Sequence, residues 1–232
     1  LLEIHVRADA RGRTCPDAGE LQDRISLSMA AFEEAGTKDG PFPFANDESR
    51  VAFFEKDDRD PHHAAHEDHR CTVTLVCGLP GAGKDTYVSR NLGDVPCLSL
   101  DAIRAREGIS PEKDQGRVVQ AAQEEARVHL RAGRDFVWNA TNVTKQNRGK
   151  AIRLARAYGA RVHVVWLEVP KNTLFKQNAG RREAVPEREI TRLAAKMEPP
   201  HPDEAHSVEW VYDGKSVYRS DNAVTASAAN RP

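Results

Sequence analysis

The sequence predicts an α/β fold, a parallel sheet flanked by helices with an N-terminal helical appendage and a helical lid, and three observations carry that reading. From Cys71 onward, apolar runs of strand length alternate with segments of helical period, the order that makes strands parallel and puts helices on both faces of a sheet. Between the first such strand and its helix lies GLPGAGKDT, Gly78 to Thr86, a glycine-rich turn in a strand-loop-helix setting. The charge also changes sign at the same place. Residues 1–70 hold 9 Lys and Arg against 16 Asp and Glu, a net of −7, and residues 71–232 hold 25 against 19, a net of +6. The formal charge of −1 for the whole chain is therefore a cancellation.

In chain order, Leu1 to Ala10 and Asp17 to Gly36 read as amphipathic helices separated by Gly12 and Pro16, with Leu21, Ile25, Leu27, Met29 and Phe32 offered as one apolar face. PFPF, Pro41 to Phe44, breaks the pattern. A short acidic helix over Ser49 to Lys56 follows, and DDRDPHHAAHEDHR, residues 57–70, reads as a polar linker. Strands are expected at Thr72 to Cys77, Pro96 to Ser99, Asp135 to Asn139 and Arg161 to Leu167. Helices are expected at Lys84 to Asn91, Ala102 to Glu107, Lys113 to Ala132, Thr144 to Tyr158, Lys171 to Arg181 and Glu187 to Met197. The tail VEWVYDGKSVYRS alternates on either side of Asp213-Gly214, which marks a terminal hairpin.

Length and composition close off other classes. At 232 residues, 39% hydrophobic and 30% charged, the chain suits one full domain and an appendage. No apolar run approaches the roughly 20 residues of a bilayer span, and the charged start LLEIHVRADARGR is no secretory signal. We read the chain, which begins at Leu1, as a piece of something larger. Cys15, Cys71, Cys77 and Cys97 form no CxxC, so neither a zinc site nor a disulfide framework is expected, and the setting is taken as reducing and cytoplasmic.

The turn carries the first chemistry. Gly78, four residues, Gly83 and Lys84 have the spacing of a P-loop, which places the chain in the P-loop NTPase fold. The backbone amides of Gly78, Gly81, Ala82, Gly83, Lys84, Asp85 and Thr86 would form an anion nest at a helix N-terminus, with Lys84 reaching the β- and γ-phosphates of an NTP, ATP or GTP. The hydroxyl residue expected after the lysine is Asp85, with Thr86 next. Asp85 and Thr86 are both candidate Mg²⁺ ligands, since that ion takes oxygen donors. Asp85 is equally readable as a first-turn acid complementing the helix dipole.

What surrounds the γ-phosphate separates a kinase from a switch or a motor. LSLDAIR puts Asp101 at a strand-to-helix junction facing the cradle, and Arg104 follows one helical turn later. Asp101 suits a general base for an attacking hydroxyl, and Arg104 suits an anionic acceptor. The bland alternative is an N-cap with an i,i+3 ion pair. FKQNAGRREAVPE carries Arg181 and Arg182 between two helices, as a lid would, against the bland reading of an exposed charged helix end. The guanine-reading NKxD is missing, and the third strand ends in Asn139 where a Walker B carboxylate is usual, Glu168 being a weak substitute. These absences favour transfer to a hydroxyl. A small-molecule kinase acting on a nucleoside, nucleotide or sugar, and a regulatory NTPase module, stay open as alternatives.

The runs CGLPGAGKDT, LSLDAIR, FVWNATNVTKQNR, VVWLEVP, QNAGRR and VPEREI together resemble the phage-type polynucleotide 5′-kinases over most of residues 71–205. The front part, LLEIHVRADARGRTCPD with PFPF and RVAFFEKDDRDP, is similar to the connector of bacterial HD-Pnk end-healing proteins. The resemblance implies a helical connector over 1–70, following an upstream HD phosphohydrolase domain, and a kinase domain over 71–232 with its lid near 171–197. It implies transfer of the γ-phosphate of an NTP, with Mg²⁺, to 5′-OH RNA or DNA ends, with no membrane partner. Lys84 would hold the donor, Asp101 would be the base, Arg104 would hold the phosphate adjoining the terminal nucleoside, and Arg181 would contact the donor phosphates. Gln177 stands where the phage enzyme has another arginine, and Asp85 replaces the family's P-loop hydroxyl.

Other features are read as structural. Arg148, Lys150, Arg153 and Arg156 do not keep to one helix face and are taken as a solvated basic surface. His62, His63, His66 and His69 have spacings that invite a metal but lie in a polar stretch, and are read as solvated. Cys71 and Cys77 are expected to behave as small core hydrophobes. Trp138 and Trp166 are assigned to the core, and Trp210, Tyr212 and Tyr218 to hairpin packing rather than base stacking.

Overall fold

The computed structural model describes residues 2–14, 16–56, 58–109, 114–181 and 183–220. The chain divides into two compact units, 1–45 and 46–232. In the first unit α1 (Leu2–Gly12) packs on α2 (Ala18–Glu34). Ala10 and Ile25 are buried, with Leu21 and Met29 partly covered at i−4 and i+4 from Ile25. Leu27 does not share that face, because a step of two residues turns it away from Ile25 on a helix, and Phe32, which returns to the face seven residues after Ile25, is nevertheless exposed near the helix end.

The second unit opens with α3 (Asp47–Glu55), capped by Asn46, whose side chain accepts from the Ser49 amide at 2.7 Å. Then follow β1 (Cys71–Cys77), α4 (Lys84–Asn91), β2 (Cys97–Ser99), α5 (Leu100–Glu107), α6 (Gln115–Arg131), β3 (Phe136–Asn139), α7 (Lys145–Ala157), β4 (Ala160–Glu168), α8 (Lys171–Ala179), α9 (Glu187–Ala194), β5 (Ser207–Tyr212) and β6 (Lys215–Arg219). The strands form one sheet in the order β2-β3-β1-β4-β5-β6. All neighbours run parallel except β5 and β6. These two form the expected hairpin, turning on Asp213 and Gly214 at φ +48° and +77°, the double positive φ that matches strand twist in a two-residue turn. Tyr212 and Tyr218 are exposed, and Tyr218 meets Trp210 edge to face.

The core strands β1, β3 and β4 are nearly continuous apolar runs, as strands covered on both faces must be. Cys77, Phe136, Val137, Val164, Val165 and Trp166 are at most 1% exposed. Cys71 and Trp138 are also buried, as expected of core residues. Strand order places β1 between β3 and β4, so the chain leaves its C-terminal end at the point where the winding of the sheet reverses, the usual place for a ligand in an open α/β sheet.

The basic α7 helix departs from expectation. Arg148 is fully buried, with Nε and Nη2 donating to both carboxylate oxygens of Glu204 at 2.8 and 2.9 Å, and its guanidinium lies 5.4 Å from the Trp166 ring centre. Arg156 donates in bidentate fashion to both Glu48 and Glu55 on α3. Only Lys150 and Arg153 of the four are the solvated charges expected. An arginine whose acid partner lies 50 or more residues away in sequence looks unpaired along the chain, yet a bidentate carboxylate supplies the charge and acceptors that burial requires.

Residues 58–70 lie along the same network. Ala65 bonds both Asn46 and Ser49, and Arg161 pairs with Asp47 and Glu67. His62, His63 and His66 are exposed as expected, but His69 packs edge to face on His206, 4.7 Å between ring centres. Glu48, His69 and His206 thereby bring three ligand-type atoms within 4.8 Å of one another. The bonding is that of a neutral imidazole used as an anchor. The Val162 amide donates to His206 Nδ1 at 2.9 Å, so Nε2 carries the proton and faces Glu48 Oε2 at 2.7 Å. A cation on Nε2 would require an imidazolate and would sit beside the Arg156 guanidinium, 3.0 Å from that nitrogen. Burial pushes the His206 imidazolium down to about 4, against the pull of Glu48. Burial alone would raise the Glu48 carboxyl, but hydrogen bonds from Arg156 and His206 hold it below its usual value.

A histidine whose folded value is depressed contributes stability that is complete above its unfolded value, near 6.5, and is lost as pH falls toward about 4. The lost contribution is at most about 3 kcal/mol. Urea unfolding midpoints are expected to fall between about pH 7 and about pH 5, before ordinary carboxylates titrate, and His206→Gln should flatten that slope. An unchanged slope in the variant would contradict the anchor.

Candidate active site

β1 delivers the chain into the P-loop, and the loop's path is set by backbone contacts that no side chain fits. At Gly78, φ is +151° and a Cβ would stand 2.6 Å from the Leu167 carbonyl oxygen at the end of β4. At Gly81, φ is +85° and a Cβ would stand 2.5 Å from the Leu174 carbonyl oxygen on α8. The loop is thus pressed between the sheet and α8, and the Gly78 amide donates to the Thr141 carbonyl at 3.0 Å. Lys84 begins α4, and its Nζ donates to the Gly78 and Leu79 carbonyls at 3.0 and 3.1 Å. Burial lowers the Lys84 ammonium to about 8; Asp85 and Asp101 oppose the fall and Arg181 adds to it. Four of the residues singled out from sequence therefore share one electrostatic neighbourhood.

Asp101 lies in the first turn of α5, but Ser99 caps that helix, its hydroxyl accepting from the Ala102 amide. The Asp101 carboxylate is left pointing outward, 66% exposed. Its Oδ1 accepts from Arg104 at 2.6 Å and its Oδ2 from Arg181 at 3.2 Å. One carboxylate thus joins an arginine of α5 to an arginine of the loop after α8. Arg182, the other lid arginine expected from sequence, lies outside the described residues.

Three residues at the site were not assigned these contacts from sequence. Asn178, buried on α8, donates to the Val185 carbonyl at 2.8 Å and accepts from the Val185 amide at 3.0 Å, which closes the loop bearing Arg181 into a fixed bend. Gln177, one residue earlier, turns its amide oxygen toward Gly83, 3.7 Å from where a Cβ there would stand. Asn139 ends β3, and its Nδ2 donates to Asp85 Oδ1 at 2.7 Å. Glu168, weighed as a substitute acid, accepts instead from the Trp166 indole at 2.6 Å. Asn139 and Gln177 stood out in the sequence as departures from a pattern, without their partners; Asn178 did not stand out, although an asparagine on the buried side of a helix needs polar partners.

The oxygen-rich end of the P-loop suits a hard cation. Asp85 and Thr86 are both exposed residues in the first turn of α4, and Mg²⁺ takes carboxylate and hydroxyl oxygens while keeping several waters. No helix among the described residues is long and apolar enough to cross a membrane.

A family model described as an AAA domain matches residues 73–200, the span from β1 to just past α9. No curated protein matches the sequence. Among solved structures, a putative kinase from Chloroflexus aurantiacus J-10-fl aligns at 13% identity and TM-score 0.51, over 63% of this chain and 87% of that one. A sugar kinase from Janibacter sp. HTCC2649 aligns at 19% identity and TM-score 0.46, over 61% and 85%. A chain of a Pnkp1/Rnl/Hen1 RNA repair complex aligns at 18% identity and TM-score 0.49, over 58% of this chain and 45% of that one. At 13% identity, the similarity of the first shows the fold.

The glycine contacts carry a direct test. Gly81→Ala places a Cβ 2.5 Å from a carbonyl oxygen at positive φ, and the backbone strain alone costs about 1–3 kcal/mol. Urea unfolding should show at least that loss, and a fluorescent ATP analogue should no longer bind. A variant within about 0.5 kcal/mol of the parent would mean that the loop is not pressed on α8.

Proposed function

The chain belongs to the AAA domain family, and on that premise we propose that it is a polynucleotide 5′-kinase, transferring the γ-phosphate of an NTP to the 5′-OH end of RNA or DNA in end healing. The observation that carries the reading is the Asp101 carboxylate, exposed beside the P-loop and flanked by arginines from two separate elements. A base next to one arginine for the donor and another for the acceptor suits a hydroxyl that carries a phosphate beside it. The motif resemblance to the phage-type kinases points the same way, as does the likeness of the front segment to an HD-Pnk connector.

In the proposed reaction the acceptor hydroxyl gives its proton to Asp101 as its oxygen attacks the γ-phosphorus in line. The bond from that phosphorus to the β–γ bridging oxygen breaks, and NDP leaves. Lys84 exchanges the carbonyls of Gly78 and Leu79 for the β- and γ-oxygens, and Arg181 turns from Asp101 to the charge developing on the transferred group. Arg104 holds the phosphate adjoining the terminal nucleoside by its planar fork. Mg²⁺ held at Asp85 and Thr86 would neutralise charge on the β- and γ-oxygens.

The test is transfer from γ-radiolabelled ATP and GTP to 5′-OH RNA, 5′-OH DNA, nucleosides and sugars. Label is expected on the oligonucleotide ends. Asp101→Ala should reduce that labelling by about 10²–10⁴-fold while nucleotide affinity stays near that of the parent. Label confined to a nucleoside or sugar would assign a small-molecule kinase instead, and hydrolysis with no labelled acceptor would assign an NTPase module.

A further inference from the structure

The P-loop pattern is followed by a hydroxyl residue, and the neighbouring strand ends in an acid. In P-loop NTPases these two residues together hold Mg²⁺. This chain departs from the pattern at both places, with Asp85 where the hydroxyl is usual and Asn139 where the acid is usual. Read along the chain, 54 residues apart, they are two unrelated losses. The structure joins them in one hydrogen bond, Asn139 Nδ2 to Asp85 Oδ1 at 2.7 Å.

We propose that the two positions have exchanged charge, so that Asp85 on the helix supplies the anionic oxygen for the divalent cation of the bound nucleotide and Asn139 on the strand is the positioning residue that aims it. The inference rests on the reading of the P-loop as an Mg²⁺–NTP site.

The chemistry of each group supports the exchange. A carboxylate only accepts, so Asn139 must present its NH₂ to Asp85, and the donor that the P-loop hydroxyl usually supplies to the strand acid now runs from strand to helix. The site keeps one negative charge and one hydrogen bond across the same gap. Asn139 is 6% exposed at the end of a fully buried strand, so its side chain is held firmly, whereas Asp85 is exposed to a ligand. An aspartate at both places would set two like charges within hydrogen-bond distance, and a neutral residue at both would leave no anionic oxygen for the cation. The exchange avoids both outcomes. It also makes the cation more necessary than usual, because the Asp85 carboxylate lies in the first turn of α4, next to Lys84, where the β- and γ-phosphates are expected.

The experiment measures the affinity of fluorescent ATP and GTP analogues, once with Mg²⁺ and once in EDTA, for the parent, Asp85→Ser, Asn139→Ala and the double variant Asp85→Ser/Asn139→Asp. No acceptor is present, so the result is independent of whether oligonucleotide ends are labelled. Asp85→Ser is expected to bind more tightly than the parent in EDTA, having lost a charge repelling the phosphates, and more weakly in Mg²⁺. Damage to the loop would weaken both. Asn139→Ala should lose about 10–100-fold of the Mg²⁺-dependent gain, as loss of an orienting partner does. The double variant should recover most of the gain that Asp85→Ser loses. The proposal is overturned if Asp85→Ser keeps the Mg²⁺-dependent gain, if the double variant binds no better in Mg²⁺ than Asp85→Ser, or if the parent shows no gain at all.

Discussion

Two backbone carbonyls, of Leu167 on β4 and Leu174 on α8, come so close to the P-loop that only glycine fits opposite them. The cradle's amides must turn inward to bind an anion, and that turn needs positive φ at Gly78, Gly81 and Gly83. Pressed against β4 and α8, the loop is not free to take another path. The same contact fixes α8 relative to the cradle. From α8, Gln177 faces Gly83, and Asn178 bends the chain so that Arg181 returns over α5 to Asp101. Arg181 is placed by the loop's own glycines, and this is why one segment contributes both a wall and a cation beside the P-loop.

Charge is distributed by function and not by chain half. The acidic excess of the front segment is largely used in structure where it belongs to the second unit. Asp47, Glu48, Glu55 and Glu67 meet Arg156 and Arg161, which the sequence places in the basic half. Arg148 pairs with Glu204 inside the basic half itself, a cancellation its net charge already includes. The net of +6 over residues 71–232 therefore overstates the cationic surface of that half. At the cradle stand Lys84, Arg104 and Arg181, the two arginines sharing the Asp101 carboxylate, few charges placed close together. That arrangement suits a grip on one or two phosphates better than a broad salt-dependent coating of a polymer.

The strands, the hairpin and the cradle were legible in the sequence because each is local. An apolar run, a DG turn and a GxxxxGK spacing are written in adjacent residues, and every core strand lies within a residue or two of its expected position. That Lys84, Asp101, Arg104 and Arg181 come together was also legible, since their places at strand ends and after α8 follow from the order of elements. The partners were not. Arg148 with Glu204, Arg156 with Glu48 and Asn139 with Asp85 are pairs 54 to 108 residues apart, and a sequence shows a lone charge or a missing acid without showing what answers it. His69 was misread for the same reason, its neighbour His206 lying on the far side of the domain sequence.

The central claim is that Asp101, held between two arginines, receives the proton of a 5′-hydroxyl. The most direct measurement is a crystal structure of the chain with Mg²⁺, a non-hydrolysable NTP analogue and a 5′-OH dinucleotide. The account predicts the 5′-oxygen within hydrogen-bond reach of the Asp101 carboxylate, Arg104 on the adjoining phosphate and Arg181 turned to the donor. A 5′-oxygen remote from Asp101, with the Arg181 pair to Asp101 intact beside the bound nucleotide, would contradict it.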